Sequence, residues 1–326
     1  MQSFHADDAS QDVSEGGLKS LRNELMVVKI PNISEEVRIG SSFNYLMKVI
    51  KETDANDGSV VWDFDSVSFL HPFFLAPLAI YKVTSKKEIS CTNISLKMQS
   101  YLNNIYFDRM LHFESDARED IEDVMSKYED RTYTPLCSFA MTDANKDTFG
   151  SIIRGIITKQ TSIDAHGITP MSYFISELLD NIYEHSLSQN GYIFSQYLKR
   201  EGYINLCIAD AGITIYKSFE RAGLYQQEID NDESISLRLA NEGYSTKNRP
   251  EAENRGYGIS TSKRMLVEGL GGSFFMLSGG AFHRYEKKKE NYYVNIRHIF
   301  NWPGTVILLR IPVRVPSGFN YMDYLE

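Results

Sequence analysis

Between Phe174 and His185 the chain specifies one helix with two faces of opposite character. Phe174, Ile175, Leu178, Leu179 and Ile182 recur at helical spacing and form an apolar stripe that has to be buried. Glu177, Asp180, Asn181 and Glu184 recur at the same spacing on the other side, which sets a carboxylate and a carboxamide one turn apart. No Lys or Arg occurs from Met171 to Gln196, so this polar face is either solvated or turned toward something cationic. Any fold for the chain must lay this helix on a core and leave its acidic side open.

The rest of the chain offers enough material for such a core. Its 326 residues suffice for two domains, and 42% hydrophobic with 24% charged residues describes a globular protein. A net charge of -9 argues against a nucleic-acid surface as the main business. Cys91, Cys137 and Cys207 are widely spaced with no CxxC pair, which suggests neither a disulfide framework nor a zinc site and suits a reducing cytoplasm. Residues 1–17 are polar and acidic and do not read as a signal peptide. The longest apolar stretch, 69–81, is interrupted by His71, Pro72 and Pro77 and is too short to span a bilayer. The expected setting is cytoplasmic, without membrane or nucleic-acid partners.

In chain order, 1–20 reads as a flexible lead-in. Strands at 24–30, 59–64 and 89–98 alternate with helices at 40–52, 75–83 and 101–110, the pattern of a small α/β domain over 21–113. Its centre, Val60-Val61-Trp62-Asp63-Phe64-Asp65-Ser66-Val67-Ser68-Phe69-Leu70, resembles the strand and turn of STAS domains, and Tyr101-Leu102 with Met110-Leu111-His112-Phe113 is similar to that family's closing segment. STAS antagonists present a phosphorylatable Ser in this turn, whereas His71-Pro72-Phe73-Phe74 stands here, so phosphorylation is not expected at that position. The segment 114–134 carries eight acidic residues between Glu114 and Asp130 against Arg118 and Lys127, an acidic helical linker packing through Ile121, Val124 and Met125.

From 135 to 316 the expected order is strand 135–141, helix 146–159, the two-faced helix at 170–187 with Pro170 in its first turn, and a hairpin of 191–198 and 203–209. A poorly periodic excursion over 216–255 reads as a lid or binding loop. A helix at 259–268 and strands at 273–277, 292–299 and 305–311 complete an α/β sandwich, with helices on one face of a mixed, mostly antiparallel sheet. Residues 317–326 form a tail.

Four separated features then align: Glu177 and Asn181 on a helix, Asp210-Ala211-Gly212-Ile213 ending a strand, Gly256-Tyr257-Gly258-Ile259 opening a helix, and Gly304-Thr305 starting the last strand. Taken singly, each has a plainer reading as a turn, a cap or a solvated helix face. Gly256-Tyr257-Gly258 fails as a Rossmann fingerprint and no GxxxxGK[ST] exists. In this order, however, they resemble the GHKL (histidine kinase-like) ATPases, whose Bergerat-type fold binds ATP between helices and a lid. The form Glu177-Leu178-Leu179-Asp180-Asn181-Ile182-Tyr183-Glu184-His185 looks closest to the anti-sigma-factor serine kinases.

That resemblance implies ATP and Mg2+ as cofactors. Mg2+ prefers oxygen ligands and keeps most of its waters, a position the Asn181 side chain can fill. Glu177 would activate the group attacking the γ-phosphate. Asp210 would accept a hydrogen bond from the adenine amino group, with Gly212 allowing close approach of the base. Gly256 and Gly258 would present backbone N–H groups to phosphate, Lys247 and Arg255 would contact it, and Thr305 corresponds to the hydroxyl behind the adenine-binding Asp. Thr214 stands where a Gly is usual. The implied activity is ATP hydrolysis or phosphorylation of a partner on Ser/Thr, the partner being a STAS-type or other regulatory protein. The alternative is a pseudoenzyme or ATP-gated interaction switch; a homodimer is compatible with either. His185 reads as structural, and none of the other histidines stands in a phosphoacceptor context, which disfavours an autophosphorylating histidine kinase.

Overall fold

In the computed structural model, residues 26–33, 39–161, 165–246, 257–287 and 291–325 are described. The N-terminal part folds as strands β1 (Met26–Lys29), β2 (Val60–Asp63) and β3 (Ile89–Thr92), connected by helices α1 (Ile39–Asp54) and α2 (Pro72–Thr84). The three strands pair in parallel in the order β1-β2-β3, as βαβ crossovers require. Helix α3 (Leu96–Asn104) follows, taking up Leu96 to Met98, which the sequence pattern assigns to a strand. Pairing stops at Thr92, Asn93 turns the chain at φ +55°, and the Ser95 hydroxyl accepts the Met98 N–H to cap the new helix.

The larger sheet has eight strands. They are β4 (Leu111–Phe113), β5 (Cys137–Ala140), β6 (Asn190–Leu198), β7 (Tyr203–Asp210), β8 (Ser273–Gly279), β9 (Ala281–Glu286), β10 (Tyr292–Asn295) and β11 (Trp302–Pro312). Their order is β10-β9-β8-β11-β7-β6-β5-β4, antiparallel throughout except for the β4–β5 pair. Strand β9 takes in Arg284 to Glu286, the start of the basic run 284–289 whose composition suggests a solvated loop tip; 288 and 289 lie outside the described residues. The acidic segment before β5 contains α4 (Arg118–Ser126), which buries Ile121 and Met125 and leaves its carboxylates outside.

One face of this sheet carries α5 (Asp143–Thr161), α6 (Ala165–His185) and α10 (Tyr257–Arg264). Leu206 and Ile208 of β7, Ile307 and Leu309 of β11, and Phe274 and Met276 of β8 point into this layer, against Phe149, Phe174, Leu178 and Ile182 of the helices. The helices of 135–316 thus lie on one face, as expected, and the N-terminal part covers the other. Cys207, Ala209, Val306, Leu308, Phe275 and Leu277 alternate with the first set and are equally buried, in one core with α1, α2 and the small parallel sheet. A strand buried on both faces needs apolar residues at every position, which explains why these strands are continuous apolar runs.

Helix α2 is the joint between the layers. Every residue from Pro72 to Tyr81 is buried, as expected of a helix apolar on all sides. It lies across β6 and β7, with Phe73 5.9 Å from Phe275, while Phe43 of α1 stacks on Phe282 of β9 at 4.6 Å. Each such side chain contributes about 1.5–3 kcal/mol by leaving water. His71 caps α2 through Nδ1, which accepts the Phe73 N–H at 3.2 Å, and its Nε2 faces the Arg310 guanidinium at 3.0 Å. A neutral imidazole accepts at only one nitrogen. Burial, reinforced by Arg310, pushes its pKa down to about 3 and holds the ring uncharged. The His71-Pro72-Phe73-Phe74 turn is thus sealed against the larger sheet. No helix among the described residues is long and apolar enough to cross a membrane.

Candidate functional site

Helix α6 starts five residues before Pro170, which therefore lies inside it rather than at its first turn. Phe174, Ile175, Leu178, Leu179 and Ile182 are all buried, as their spacing demands. The opposite face does meet a cation. Lys146 of α5 lies 2.5 Å from Asp180, with Asp143 at 3.4 Å and Asp147 at 3.8 Å. Partial burial works against the Lys146 charge, but these carboxylates outweigh it and raise its pKa. Local periodicity could not reveal this pair, because Lys146 comes from another helix.

Asn181 and Glu177 remain on the open part of that face. Asn181 Nδ2 donates to the Glu177 carbonyl at 2.6 Å, which fixes the carboxamide and leaves Oδ1 as an acceptor. The Glu177 carboxylate occupies the space that a side chain at position 258 would need, and would have to swing aside to admit one. A carboxylate at a helix N-terminus is favourably placed. One turn further on, Tyr173 bonds to Thr261; burial first and the Glu177 charge second raise the Tyr173 phenol.

Asp210 ends β7 at 1% exposure. Its Oδ1 accepts the Gly212 N–H at 2.8 Å, and the Thr305 N–H of β11 also reaches the carboxylate. Burial pushes its pKa up to about 7 against these two donors. Gly304, at φ +80°, brings its backbone against Asp210 so closely that no Cβ could be accommodated. The Thr305 hydroxyl is 3.0 Å from Ser278 Oγ, so its link to Asp210 runs through its backbone N–H. Ser278, which the sequence reading does not single out, also accepts the Ile215 N–H at 2.9 Å and bonds to the Gly304 carbonyl at 3.2 Å. It holds the ends of β8 and β11 and the chain after Gly212 together.

Gly212 docks this group on α6. A Cβ there would run into the Ser186 carbonyl and Ser188, and the Ile213 N–H donates to Ser186 O at 2.7 Å. Thr214, where a glycine was expected from the resemblance, accepts the Lys217 N–H at 3.2 Å and caps α7 (Ile215–Ala222). Between 216 and 255 the sequence suggests a loose excursion with two helical pieces. The described part holds three helices: α7, α8 (Gln226–Ile229) and α9 (Glu233–Asn241). Helix α9 is anchored, since buried Glu233 takes the Gly280 N–H and pairs with Arg297 at 3.3 Å. Beyond it, Thr246 bridges His185 Nδ1 at 3.2 Å and Ser218 Oγ at 3.0 Å, in keeping with the reading of His185 as structural.

Along α6, then, Gly258 meets Glu177, Thr246 meets His185 and Gly212 meets Ser186, over a span of about 13 Å at 1.5 Å per residue. Asn181 lies between. Asp210, Gly212 and Thr305 gather at one end and Glu177 with Gly258 at the other. Lys247, Arg255 and Gly256 lie outside the described residues. Among the described residues no three His, Cys, Asp or Glu side chains come together as a metal cage. A Mg2+ ion on Asn181 would draw its other ligands from water and from a bound anion, which is the usual habit of that ion. Comparison with models of known protein families and with characterised proteins returns no match for this chain.

Proposed function

We propose that the chain is a cytoplasmic, Mg2+-dependent ATP-binding regulatory protein of the GHKL (histidine kinase-like) class, with a Bergerat-type ATPase unit following a degenerate STAS-like unit. The observation that carries this reading is Asp210. It is a buried carboxylate at a strand end, reached by two backbone N–H groups and flanked by Gly212 and Gly304, which pack directly on the backbone of Ser186 and of Asp210. It stands at one end of the helix that carries Asn181 and Glu177.

Each residue has a task in that reading. Asp210 would accept the adenine amino group, with Gly212 donating its N–H to the carboxylate and docking it on the end of α6. Asn181 Oδ1 would hold Mg2+, whose charge offsets that of the phosphates. Glu177 would orient and deprotonate the attacking hydroxyl, either of water or of a Ser/Thr on a partner such as a STAS-type or other regulatory protein. The second reading, an ATP-gated interaction switch without turnover, is supported by the contact of Glu177 with Gly258. That contact sets the carboxylate against the first turn of α10, where a helix N-terminus favours negative charge.

Incubating the purified chain with Mg2+ and γ-labelled ATP, alone and with candidate regulatory proteins, separates the outcomes. Free phosphate indicates hydrolysis, labelled partner indicates a kinase, and binding with neither indicates the switch. Glu177→Ala should stop turnover while leaving binding largely intact; normal turnover in that variant removes Glu177 from its role. Absence of nucleotide binding would sink the whole reading.

A further inference from the structure

Lys263 is the most anomalous charged group outside the Asp210–Glu177 line. It lies on α10 and is only 4% exposed. A lysine this deep is costly unless its donors are met. Its three N–H donors find three acceptors: Asn241 O at 3.2 Å, Asn241 Oδ1 at 3.4 Å and the Tyr293 hydroxyl at 3.3 Å. The ammonium lies 6.0 Å from the ring centres of both Tyr285 and Tyr293. Asn241 is itself fixed, because its Nδ2 donates to the Leu237 carbonyl at 2.9 Å and to Met276 Sδ at 3.5 Å.

What Lys263 joins is more telling than how it is buried. Asn241 is the last residue of α9, and a cation at a helix C-terminus is favourable. Gly258, which receives Glu177, belongs to the first turn of the helix that carries Lys263. We propose that Lys263 is a positioning residue that fixes the end of α9 against α10 through its charge, and so regulates nucleotide binding at the Glu177–Asp210 site. This rests on the ATP-binding reading above.

The surroundings make that charge titratable. Burial pushes the Lys263 pKa down to about 8, while Glu242 beyond α9 and Glu268 after α10 pull it upward. Arg238 of α9 and Arg264 of α10 act on the neighbouring Tyr293 and Tyr285. On β9, His283 stacks on Tyr293 at 4.0 Å, and burial with the Lys263 charge holds its own pKa down to about 3. Above pH 8, then, the ammonium is the group in this cluster that loses its charge, and its charge-assisted bonds to Asn241 weaken to those of a neutral amine.

The test is Mg2+-ATP affinity of the full chain at pH 7.5 and 9.0 for the native protein, Lys263→Arg and Lys263→Met. The native protein should bind up to about tenfold more weakly at pH 9.0, because only the fraction with charged Lys263 is competent. Lys263→Arg should keep its affinity at both values, and Lys263→Met should bind weakly at both. A native protein with equal affinity at both pH values, or an arginine variant that still loses affinity, overturns the proposal. Amide hydrogen exchange without nucleotide gives an independent readout. Residues 239–246 and 258–262 should exchange faster in Lys263→Met than in Lys263→Arg at pH 7.5. If ATP does not bind at all, the nucleotide reading fails, and equal exchange in the two variants then removes the positioning role as well.

Discussion

Replacing Asp210 by asparagine should make the protein more stable at alkaline pH and less able to bind ATP. The carboxyl is 1% exposed and its pKa stands at about 7 in the folded chain against an ordinary 3.8. A carboxyl raised in this way stabilises the fold while protonated, so its contribution is complete below 3.8 and is lost as pH rises through about 7. At about 1.4 kcal/mol per pH unit, most of that window lies between pH 5 and pH 8 and amounts to about 3 kcal/mol. Asparagine does not titrate. Relative to the native protein, Asp210→Asn should therefore gain about 3 kcal/mol on going from pH 5 to pH 8, and contributions shared by both proteins, such as those of the buried histidines, cancel. Urea unfolding at the two pH values measures this difference directly. Binding should move the other way. The Gly212 and Thr305 N–H groups will claim the asparagine oxygen, turning its NH2 toward the place of the adenine amino group. That donor-on-donor contact costs about 1–3 kcal/mol, roughly 10- to 100-fold in affinity. A pH-independent stability difference would refute the buried, strained carboxylate; unchanged affinity would refute its role toward adenine.

Gly258→Ala makes the Glu177 carboxylate swing aside and should cost about 1 kcal/mol of stability, the low end of overpacking penalties, together with nucleotide affinity. Adding Glu177→Ala should restore part of that stability, and a double-mutant cycle in thermal unfolding measures how much. His71 and His283 both have pKa values held down to about 3, so the unfolded chain binds protons that the folded chain does not. Stability is complete above pH 6.5 and should fall by up to about 1.4 kcal/mol per unit for each histidine as pH drops below it; acid titration of His71→Asn should show a shallower slope than the native protein. Phe73→Ala empties a site between α2 and the large sheet and should cost about 3–5 kcal/mol. Fluorescence and nucleotide binding should be lost together in urea, whereas separate transitions would show that α2 does not couple the layers.

What the sequence made legible follows its local periodicities. The stripe from Phe174 to Ile182 identified α6, and two strand-like runs joined by the Lys199-Arg200-Glu201-Gly202 turn identified the β6–β7 hairpin. Relations between distant residues were harder to read. Lys146 reaches Asp180 from another helix, so the apparent lack of basic partners for α6 was an artefact of looking only nearby. Ser278 stands at a strand end and looks like an ordinary turn residue until its bonds to Thr305 and Gly304 are seen. Strand β9 escaped notice because Arg284 and its basic neighbours mask the alternation of buried Ala281 and His283. The continuous apolar runs of β7, β8 and β11 did carry the information that both sheet faces are covered, but a run of that kind does not say what covers it. That depended on α2, whose wholly apolar sequence finds its partner only through tertiary packing.

The central position of β11 matters during synthesis. This strand, Trp302–Pro312, lies between β7 and β8 and supplies the Thr305 backbone that meets Asp210. A nascent chain that has reached Asn295 therefore holds two groups of strands, β4–β7 and β8–β10, with unpaired facing edges and Asp210 without the Thr305 N–H. Such edges are aggregation-prone. The final seam closes only once translation has passed Pro312. A transcript truncated before that point would yield no smaller working version of the protein, only two half-sheets in need of a chaperone or a protease.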